Sequence, residues 1–419
     1  MIVTIAKWIA VVLLFVVVGV GLAVTIVPKF LDRVYYRGPV SSHFDGERFF
    51  NPEGDDDTAR PPSGGSRSGF FWRYLTGNDG RPKWPTQVEV AQAQRGALLP
   101  PYGTPIQFRP ASAEEVATTP MVATWIGHAS VLVQTPGLNI LTDPVWSERA
   151  GPFGFGPKRV TRPGITLDAL PKIDVVLISH NHYDHMDLAT LKRLWDRDRP
   201  LIVTSLGNDA ILRSKGIGAT AADWGGAVTV EGRTRVGEGS YWTKPARVIV
   251  TRNHHWGSRW FSDRNRALWS SFVVELPGGN LFFAGDTGFS DGSWADEAAR
   301  LGPIRLALIP IGAFRFMPGQ MGSGSHMGPV DAVEAYRRLG AGTAIPIHWG
   351  TFRLSYEAYD TPPKLLAATQ ECTGQRGFDA VPMGIPQAVP PYAPPRPVAP
   401  MTRDALLKCL DTPEVRALP

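Results

Sequence analysis

Cysteine is scarce in this sequence, with only Cys372 and Cys409 among its 419 residues. Two cysteines are too few for a disulfide framework, and both lie far from the histidine-rich segments, which argues against a cysteine-ligated zinc site. They could form one bridge or none, so the cellular compartment stays open on this evidence. A chain of this length with 43% hydrophobic residues can instead rely on a large buried core.

Dense runs of lysine and arginine are also missing, although the chain carries a formal net charge of +5. A basic balance suits an anionic partner such as a membrane surface or nucleic acid, or simply reflects a mildly basic surface. Without a basic run interleaved with aromatic residues, we expect no nucleic-acid partner. An internal repeat of short fixed period is absent as well.

One long hydrophobic run stands out at residues 8–27, which contain no charged residue. A helix of that length spans about 30 Å, the thickness of a bilayer core. The apolar region of a cleaved signal peptide is shorter, about 7–15 residues, so an uncleaved single-pass anchor is the favoured interpretation. Lys7 precedes the run, and Lys29, Arg33 and Arg37 follow it, which predicts a cytoplasmic catalytic domain with the periplasmic or extracytoplasmic side as the alternative.

Composition divides the chain into four predicted parts. Residues 1–28 form the membrane anchor, residues 29–118 an N-terminal extension, residues 119–385 the main domain, and residues 386–419 a proline-rich C-terminal tail. Within the extension, residues 52–67 are polar and rich in Gly, Pro and Asp, which predicts a flexible linker.

The main domain alternates short apolar runs with helical patterns. The predicted strands are residues 175–179, 247–251, 281–284, 306–310 and 344–347, and the predicted helices are residues 188–195 and 329–339. Strands that alternate with helices and loops indicate a layered α/β domain.

Three of the nine histidines fall within six residues, in the run His180-Asn-His-Tyr-Asp-His185, directly after a predicted strand. Imidazole and carboxylate are the ligands expected for zinc and related divalent metals. A solvated polar loop rarely concentrates His and Asp in this way, so the run predicts a metal site.

Further candidate ligands have the same placement after a predicted strand. His254 and His255 follow residues 247–251, Asp286 follows residues 281–284, and His348 follows residues 344–347. Each alone could be a structural core residue. Together with the six-residue run they would complete two coordination shells.

The run resembles the HxHxDH signature of the metallo-β-lactamase superfamily. The surrounding motifs are Trp125-Ile-Gly-His-Ala-Ser130, Leu141-Thr-Asp-Pro144, Gly156-Pro-Lys-Arg159, Phe283-Ala-Gly-Asp-Thr-Gly288, Ile309-Pro-Ile-Gly312 and Ile347-His-Trp-Gly-Thr-Phe352. In this order, over residues 124–351, they resemble the branch of phospholipases D that hydrolyse N-acylphosphatidylethanolamine.

This resemblance implies an αβ/βα four-layer sandwich, here with an N-terminal transmembrane helix, and two metal ions, taken as Zn²⁺ with Mn²⁺ or Fe²⁺ as alternatives. The implied ligands are His180, His182 and His255 for the first metal, Asp184, His185 and His348 for the second, and Asp286 between them. His255 is preferred to His254 because His255-Trp-Gly-Ser-Arg259 fits the His-Trp-x-x-Arg pattern of the family.

Other residues receive secondary roles from the resemblance. Asp184 and Asp286 could steer a proton besides binding metal. His326 could assist the leaving group, contact the phosphodiester or be a structural loop histidine. His128 and Asp143 are interpreted as support under the site. Arg259 could contact phosphate, with a surface salt bridge as the simpler interpretation.

The implied activity is hydrolysis of N-acylphosphatidylethanolamine to N-acylethanolamine and phosphatidic acid by attack of a metal-bridging hydroxide on phosphorus. The expected partners are a phospholipid substrate and a membrane, and a homodimer is compatible with them. A lactonase-like or other ester hydrolase of the same fold is the alternative. A non-catalytic, membrane-tethered binding module is disfavoured by the complete ligand set.

Overall fold

The computed structural model describes residues 2–30, 33–54, 81–93, 121–135, 137–230, 246–260, 262–316, 319–399 and 401–419. Residues 55–67 of the predicted linker and residues 94–118 of the predicted extension lie outside the described residues. The four-part division of the chain therefore stays a prediction.

The described chain contains thirteen strands and eight α-helices. The strands are β1 Val122–Gly127, β2 Ser130–Thr135, β3 Leu138–Thr142, β4 Val175–Ile178, β5 Leu201–Ser205, β6 Thr220–Ala222, β7 Ala227–Val230, β8 Ala246–Thr251, β9 Ser271–Val274, β10 Asn280–Phe283, β11 Ile304–Pro310, β12 Thr343–Ile347 and β13 Gln387–Ala388. The helices are α1 Ile2–Phe30, α2 Leu188–Asp198, α3 Asn208–Arg213, α4 Ser293–Ala299, α5 Pro329–Leu339, α6 Thr361–Thr373, α7 Arg403–Leu410 and α8 Pro413–Arg416. Each predicted strand and helix of the main domain is confirmed, with bounds that differ by up to three residues.

Two mixed sheets face each other across the main core. The first has the order β13-β1-β2-β3-β4-β5-β6, and the second has the order β12-β11-β10-β9-β8-β7. Side chains alternate between the two faces of a strand, so Val175 and Leu177 of β4 point into the space between the sheets, where Leu306 and Leu308 of β11 also lie.

The opposite faces of both sheets are covered by helices. Val176 and Ile178 of β4 pack in one outer cluster with Leu191 and Leu194 of α2. The outer face of the second sheet packs against α4, α5 and α6 in a separate cluster. Both strand faces are therefore buried, which explains the nearly continuous apolar runs in the sequence. The four-layer α/β architecture predicted from the sequence is confirmed.

Helix α1 differs from all the other helices in its exposure. Its segment Lys7–Thr25 has a mean hydropathy of 2.7, and none of it is buried within the described structure. By length and composition this helix could cross a membrane. The prediction of an anchor therefore has a structural counterpart.

The C-terminal segment joins the domain at two places. Strand β13 lies within the predicted tail and pairs with β1 at the edge of the first sheet. Cys372 at the end of α6 forms a disulfide with Cys409 in α7, with the two Cα atoms 6.0 Å apart. The sequence left this pairing open, and the structure decides it in favour of one bridge.

Candidate metal centre

The candidate ligands lie where the ends of strands from both sheets meet. The run His180–His185 follows β4, His255 follows β8, Asp286 follows β10 and His348 follows β12. Backbone hydrogen bonds join the two sheets at this edge, since Ser270 N–H donates to the carbonyl of Ser179. The sequence pattern of ligands after apolar strands thus corresponds to one place in the fold.

Three histidines form a first cluster, called here the three-histidine group: His180, His182 and His255. The Nε2 atom of His180 lies 2.7 Å from Nδ1 of His182. The Nε2 atom of His255 lies 3.3 Å from the same Nδ1. Three ring nitrogens therefore converge on a common point, and the three ligand atoms lie close enough to share one metal ion.

A second cluster, called here the mixed group, contains Asp184, His185 and His348. The Nε2 atoms of its two histidines lie 3.1 Å apart. Oδ2 of Asp184 lies 3.5 Å from Nε2 of His185 and 3.6 Å from Nε2 of His348. The ligand atoms of this cluster also lie close enough together to share one metal ion.

Asp286 lies between the two groups. Its Oδ2 atom is 3.6 Å from Nε2 of His255 in the three-histidine group, and 3.2 Å and 3.8 Å from Nε2 of His348 and His185 in the mixed group. One carboxylate oxygen thus contacts both clusters, which is the position a bridging ligand requires.

The hydrogen bonds behind the rings test whether the clusters fit metal ions. Nδ1 of His185 faces a carboxylate oxygen of Asp143 at 2.6 Å, and Nδ1 of His255 faces the carbonyl of Ser325 at 2.9 Å. Both partners only accept hydrogen bonds, so each Nδ1 carries the proton and donates. The Nε2 atoms of both rings then face the clusters, where several nitrogen and carboxylate atoms converge. Such a donor set fits a divalent metal ion.

Burial and charge act differently on the two groups. Burial lowers the pKa of His180 and His255 well below the ordinary value, and lowers that of His182 to about 3, so these rings are neutral. Burial also opposes charge on His348, but the carboxylates of Asp286 and Asp184 outweigh it and raise its pKa to about 10. Metal binding to the mixed group therefore has to displace a proton.

His128 and Asp143 lie beneath the mixed group. Nε2 of His128 is 3.0 Å from Oδ2 of Asp184, while Asp143 accepts hydrogen bonds from the backbone N–H and hydroxyl of Ser179 as well as from His185. Both residues have positive φ, 52° and 29°, a conformation that non-glycine residues rarely adopt. The chain is thus bent at both positions so that these side chains orient candidate ligands.

His254 and His255 separate as the pattern His255-Trp-x-x-Arg259 suggests. The ring of His254 lies 2.8 Å from the carbonyl of Gly324 and 2.9 Å from that of Gly54, outside both clusters. His255 alone of the pair enters the metal centre. His326 also approaches the centre, because its Nδ1 lies 3.0 Å from Oδ1 of Asp286.

Arg259 forms hydrogen bonds within the domain and not the surface salt bridge that was the simpler interpretation. Its guanidinium donates to the carbonyls of Asn181 at 2.9 Å and Met186 at 2.8 Å, and it stacks 3.9 Å from the ring of Tyr183. Burial lowers its pKa. The simpler interpretation made from the sequence is wrong, because the residue braces the ligand-bearing loop from within.

Sequence reasoning missed Asp187, which ends the ligand-bearing loop. Its carboxylate accepts hydrogen bonds from the backbone N–H of Ala189 and Thr190 and so caps α2. The same side chain accepts from the N–H groups of Trp146 and Ser147. An aspartate directly before an apolar helical pattern is the signal that could have identified it.

A cleft of about 490 Å³ adjoins the ligand-bearing loop. It is lined by Ser147, Glu148, Arg149, Gly151, Gly154, Tyr183, Met186, Asp187, Leu188, Ala189 and Arg259. Tyr183 precedes the candidate ligand Asp184 in the chain, whereas none of the candidate metal ligands lines the cleft itself. Its lining is partly polar and partly apolar.

Comparisons with known proteins identify the family of this chain. The family described as a beta-lactamase superfamily domain matches residues 138–349, just over half of the chain. The N-acyl-phosphatidylethanolamine-hydrolyzing phospholipase D 1 of Caenorhabditis elegans is 36% identical over 273 residues, which cover 63% of this chain and 74% of that protein. The mitochondrial N-acyl-phosphatidylethanolamine-hydrolyzing phospholipase D of Saccharomyces cerevisiae is 30% identical over 307 residues, covering 70% of this chain and 62% of that protein.

Among solved structures, Igni18, a metallo hydrolase from Ignicoccus hospitalis, is 20% identical with a TM-score of 0.46, covering 65% of this chain and 98% of that one. The family match and the relatives define a metal-dependent hydrolase, and the chain belongs to the metallo-β-lactamase superfamily. Within it the chain falls in the branch similar to the N-acylphosphatidylethanolamine-hydrolysing phospholipases D, as its motifs predicted.

Proposed function

We propose that the protein is a phospholipase D-type phosphodiesterase that hydrolyses N-acylphosphatidylethanolamine to N-acylethanolamine and phosphatidic acid. The observation that carries the proposal is the meeting of two ligand groups at Asp286, in a chain 36% identical to the C. elegans relative. Two adjacent divalent sites suit displacement at phosphorus, because both the attacking and the leaving oxygen need their charge stabilised.

We assign zinc to both groups, because histidine and aspartate are its usual ligands. Manganese or iron(II), which accept the same donors, are the alternatives. Bound there, the ions would activate water and neutralise charge on the phosphate oxygens. Asp286 would hold both sites in register. Asp143 would keep the ring of His185 in the tautomer that binds metal, and His128 would fix the carboxylate of Asp184.

His326 is the candidate for direct contact with the substrate. Its side chain is 15% exposed, whereas the rings of His185, His255 and His348 are fully buried. A ring that touches Asp286 from the exposed side can reach a bound phosphodiester. We therefore assign His326 to the phosphodiester or its leaving group.

We further propose that α1 anchors the protein in a membrane and so keeps it beside a lipid substrate. The charges around α1 predict a cytoplasmic domain, whereas the disulfide between Cys372 and Cys409 favours an oxidising compartment. The charge excess is small, and we place the domain on the extracytoplasmic side. Alkylation of the unreduced full chain, taken directly from cells, should find no free thiol. Modification of both cysteines before reduction would restore the cytoplasmic prediction.

The substrate is tested with detergent-solubilised, zinc-loaded protein and micelles of N-acylphosphatidylethanolamine. Mass spectrometry should detect phosphatidic acid and N-acylethanolamine with the wild-type chain and not with an Asp286→Asn variant. An Asp168→Asn variant is the matched control, because that carboxylate is almost fully exposed and lies outside the centre.

Products that persist in Asp286→Asn would refute the bridging assignment. If the wild-type chain binds two metal ions and yields no products, the lipid substrate is wrong. Hydrolysis of lactones or simple esters by the same preparation would then identify the alternative hydrolase.

A further inference from the structure

The most exposed large hydrophobic side chains beyond α1, among the described residues, are two phenylalanines in one short loop. Phe153 is 83% exposed and Phe155 is 73% exposed. They lie in residues 148–158, called here the aromatic hairpin. Two adjacent exposed aromatic rings are unusual on a monomer surface and indicate an interaction site.

Backbone hydrogen bonds fix the conformation of the aromatic hairpin. The N–H of Ala150 donates to the carbonyl of Pro157 at 3.0 Å, and that of Phe155 donates to the carbonyl of Pro152 at 2.9 Å. A Cβ at Gly156, where φ is +99°, would collide with the carbonyl of Ala150. The fold thus presents the aromatic rings outward on a closed backbone turn.

Phe153 itself adopts a left-handed conformation, with φ of 53°. A bulky residue in this region is conformationally unfavourable, and here it gains little packing in return. Its ring makes one aromatic contact, edge-on to Trp260 with ring centroids 6.4 Å apart. A binding partner for the exposed ring would supply the missing contacts.

A chain of contacts links the aromatic hairpin to the end of the anchor. Trp260 N–H donates to Asp263 at 2.7 Å, and Asp263 accepts a hydrogen bond from the hydroxyl of Tyr35 at 2.8 Å. Tyr35 follows the last residue of α1, Phe30, by only five positions, which span at most about 18 Å. If α1 crosses a bilayer, this linkage keeps the aromatic hairpin within reach of the bilayer surface.

The charges at the base of the hairpin suit a phospholipid surface. Arg149 and Lys158 pair across the two arms of the hairpin, and both are exposed. The carboxylate of Glu148 lies 3.9 Å from Lys158, so the two cations outnumber the one carboxylate. In a membrane interface, aromatic rings enter the boundary of the acyl chains and cations contact the phosphates. The hairpin has the same order, because its aromatic rings lie at the tip and its basic side chains at the base.

We propose that the aromatic hairpin inserts Phe153 and Phe155 into the interface of a phospholipid bilayer and docks the domain beside its anchor. The inference deepens the proposed function and rests on it for the role of docking. The cleft that contains Tyr183 is also lined by five residues at or next to the aromatic hairpin, Ser147, Glu148, Arg149, Gly151 and Gly154, and by neither phenylalanine. Docking would bring the mouth of this cleft to the lipid surface, where a headgroup could enter while its acyl chains stay in the bilayer.

The test uses a fluorescent label on the full chain in phospholipid vesicles. The only two native cysteines are joined to each other, so a Phe153→Cys variant carries one free thiol for an environment-sensitive dye. We expect blue-shifted emission that nitroxide-labelled lipids quench. The matched control is the same dye on Glu414→Cys, at an exposed position in the C-terminal helix α8, where a water-like spectrum is expected.

A water-like spectrum at position 153 would refute the proposal. A blue shift without quenching by nitroxide lipids would also refute it, because a second protein chain and not lipid would then cover the ring. These spectra require no catalysis, so they stand even if the proposed substrate is wrong.

Activity gives a second readout. A Phe153→Ser/Phe155→Ser variant should lose about tenfold or more of its activity on lipid in vesicles, since two aromatic rings no longer bind the interface. Its activity on a short-chain, monomeric phosphodiester should stay within about twofold of wild type. An equal loss on both substrates would mean that the hairpin only shapes the cleft, and would overturn the docking role.

Discussion

The two groups of the metal centre share a geometry but differ in the charges around their imidazole rings. In the three-histidine group the rings are backed by neutral partners, such as the hydroxyl of Ser179 behind His180. In the mixed group a carboxylate, Asp143, lies behind His185, and two more carboxylates raise the pKa of His348. The three-histidine group is thus ready to bind a cation as neutral rings.

Because of this difference, the mixed group depends more on its supporting residues than the three-histidine group does. Buried carboxylates need a partner, and in the absence of a metal ion protonated histidines supply it. A bound metal ion would take over that role after the proton leaves. We therefore expect the mixed group to be the more sensitive to changes in its hydrogen-bond partners.

The largest effect should come from Asp286, the residue that both groups share. An Asp286→Ala variant should lose metal from both groups and reduce activity by a factor on the order of 10³, because the bridging carboxylate and its charge are gone. Metal analysis of the purified chain, together with turnover, gives the result. Retention of two metal ions per chain would contradict the bridging role.

Removal of one ring from each group should separate the two sites. His182→Ala and His348→Ala should each reduce metal content from two ions to about one per chain, since each site has three candidate histidine or aspartate ligands plus Asp286. His43→Gln, which changes a buried histidine bonded to Asp223, is the control and should leave metal content unchanged. Loss of both ions from either single variant would show that the groups do not bind independently.

Supporting residues should distinguish the groups more finely. Asp143→Asn should weaken metal binding at the mixed group by roughly 10–100-fold, because the ring of His185 loses its anionic partner. Ser179→Ala removes the neutral hydroxyl behind His180 together with the hydrogen bond that it donates to Asp143. It should weaken binding by only about fivefold, because the carboxylate of Asp143 and its contact with His185 remain. Competition with a metal chelator measures both. Equal losses of metal affinity in the two variants would contradict the proposed difference between the groups.

The smallest effect on the metal centre is expected at Arg259. Arg259→Lys keeps the charge but cannot reproduce the two backbone hydrogen bonds and the stacking on Tyr183, so it should cost about 1–3 kcal/mol of stability. Thermal unfolding compared with Arg193→Lys, an exposed position on α2, gives the result. The variant should still bind two metal ions per chain. Loss of metal would show that Arg259 also positions the ligands.

The ligand run could be found in the sequence because it is local. His180, His182, Asp184 and His185 lie within six residues, and a strand before them keeps them together without help from the rest of the chain. Asp286 and His348 could be proposed from their placement after apolar runs, because the ends of neighbouring strands meet at one sheet edge. Their assignment to particular metal ions came from family resemblance.

Other outcomes depended on side-chain direction, which a strand or loop pattern does not determine. Arg259 turns inward because the carbonyls of Asn181 and Met186 and the ring of Tyr183 form a site for its guanidinium. Cys372 and Cys409 meet because α6 and α7 pack side by side. Neither contact can be predicted from the residues that are its neighbours in the sequence.

By itself the sequence determined the layered α/β class, the ligand-bearing loop and the apolar helix, since each depends on residues that are neighbours in the chain. The tertiary structure supplied the distances from Asp286 to both clusters, the difference in charge between the clusters and the outward projection of Phe153 and Phe155. These features are distances between segments far apart in sequence. Such distances are set by the packing of two sheets and the turns that leave them, and not by the order of residues in any one segment.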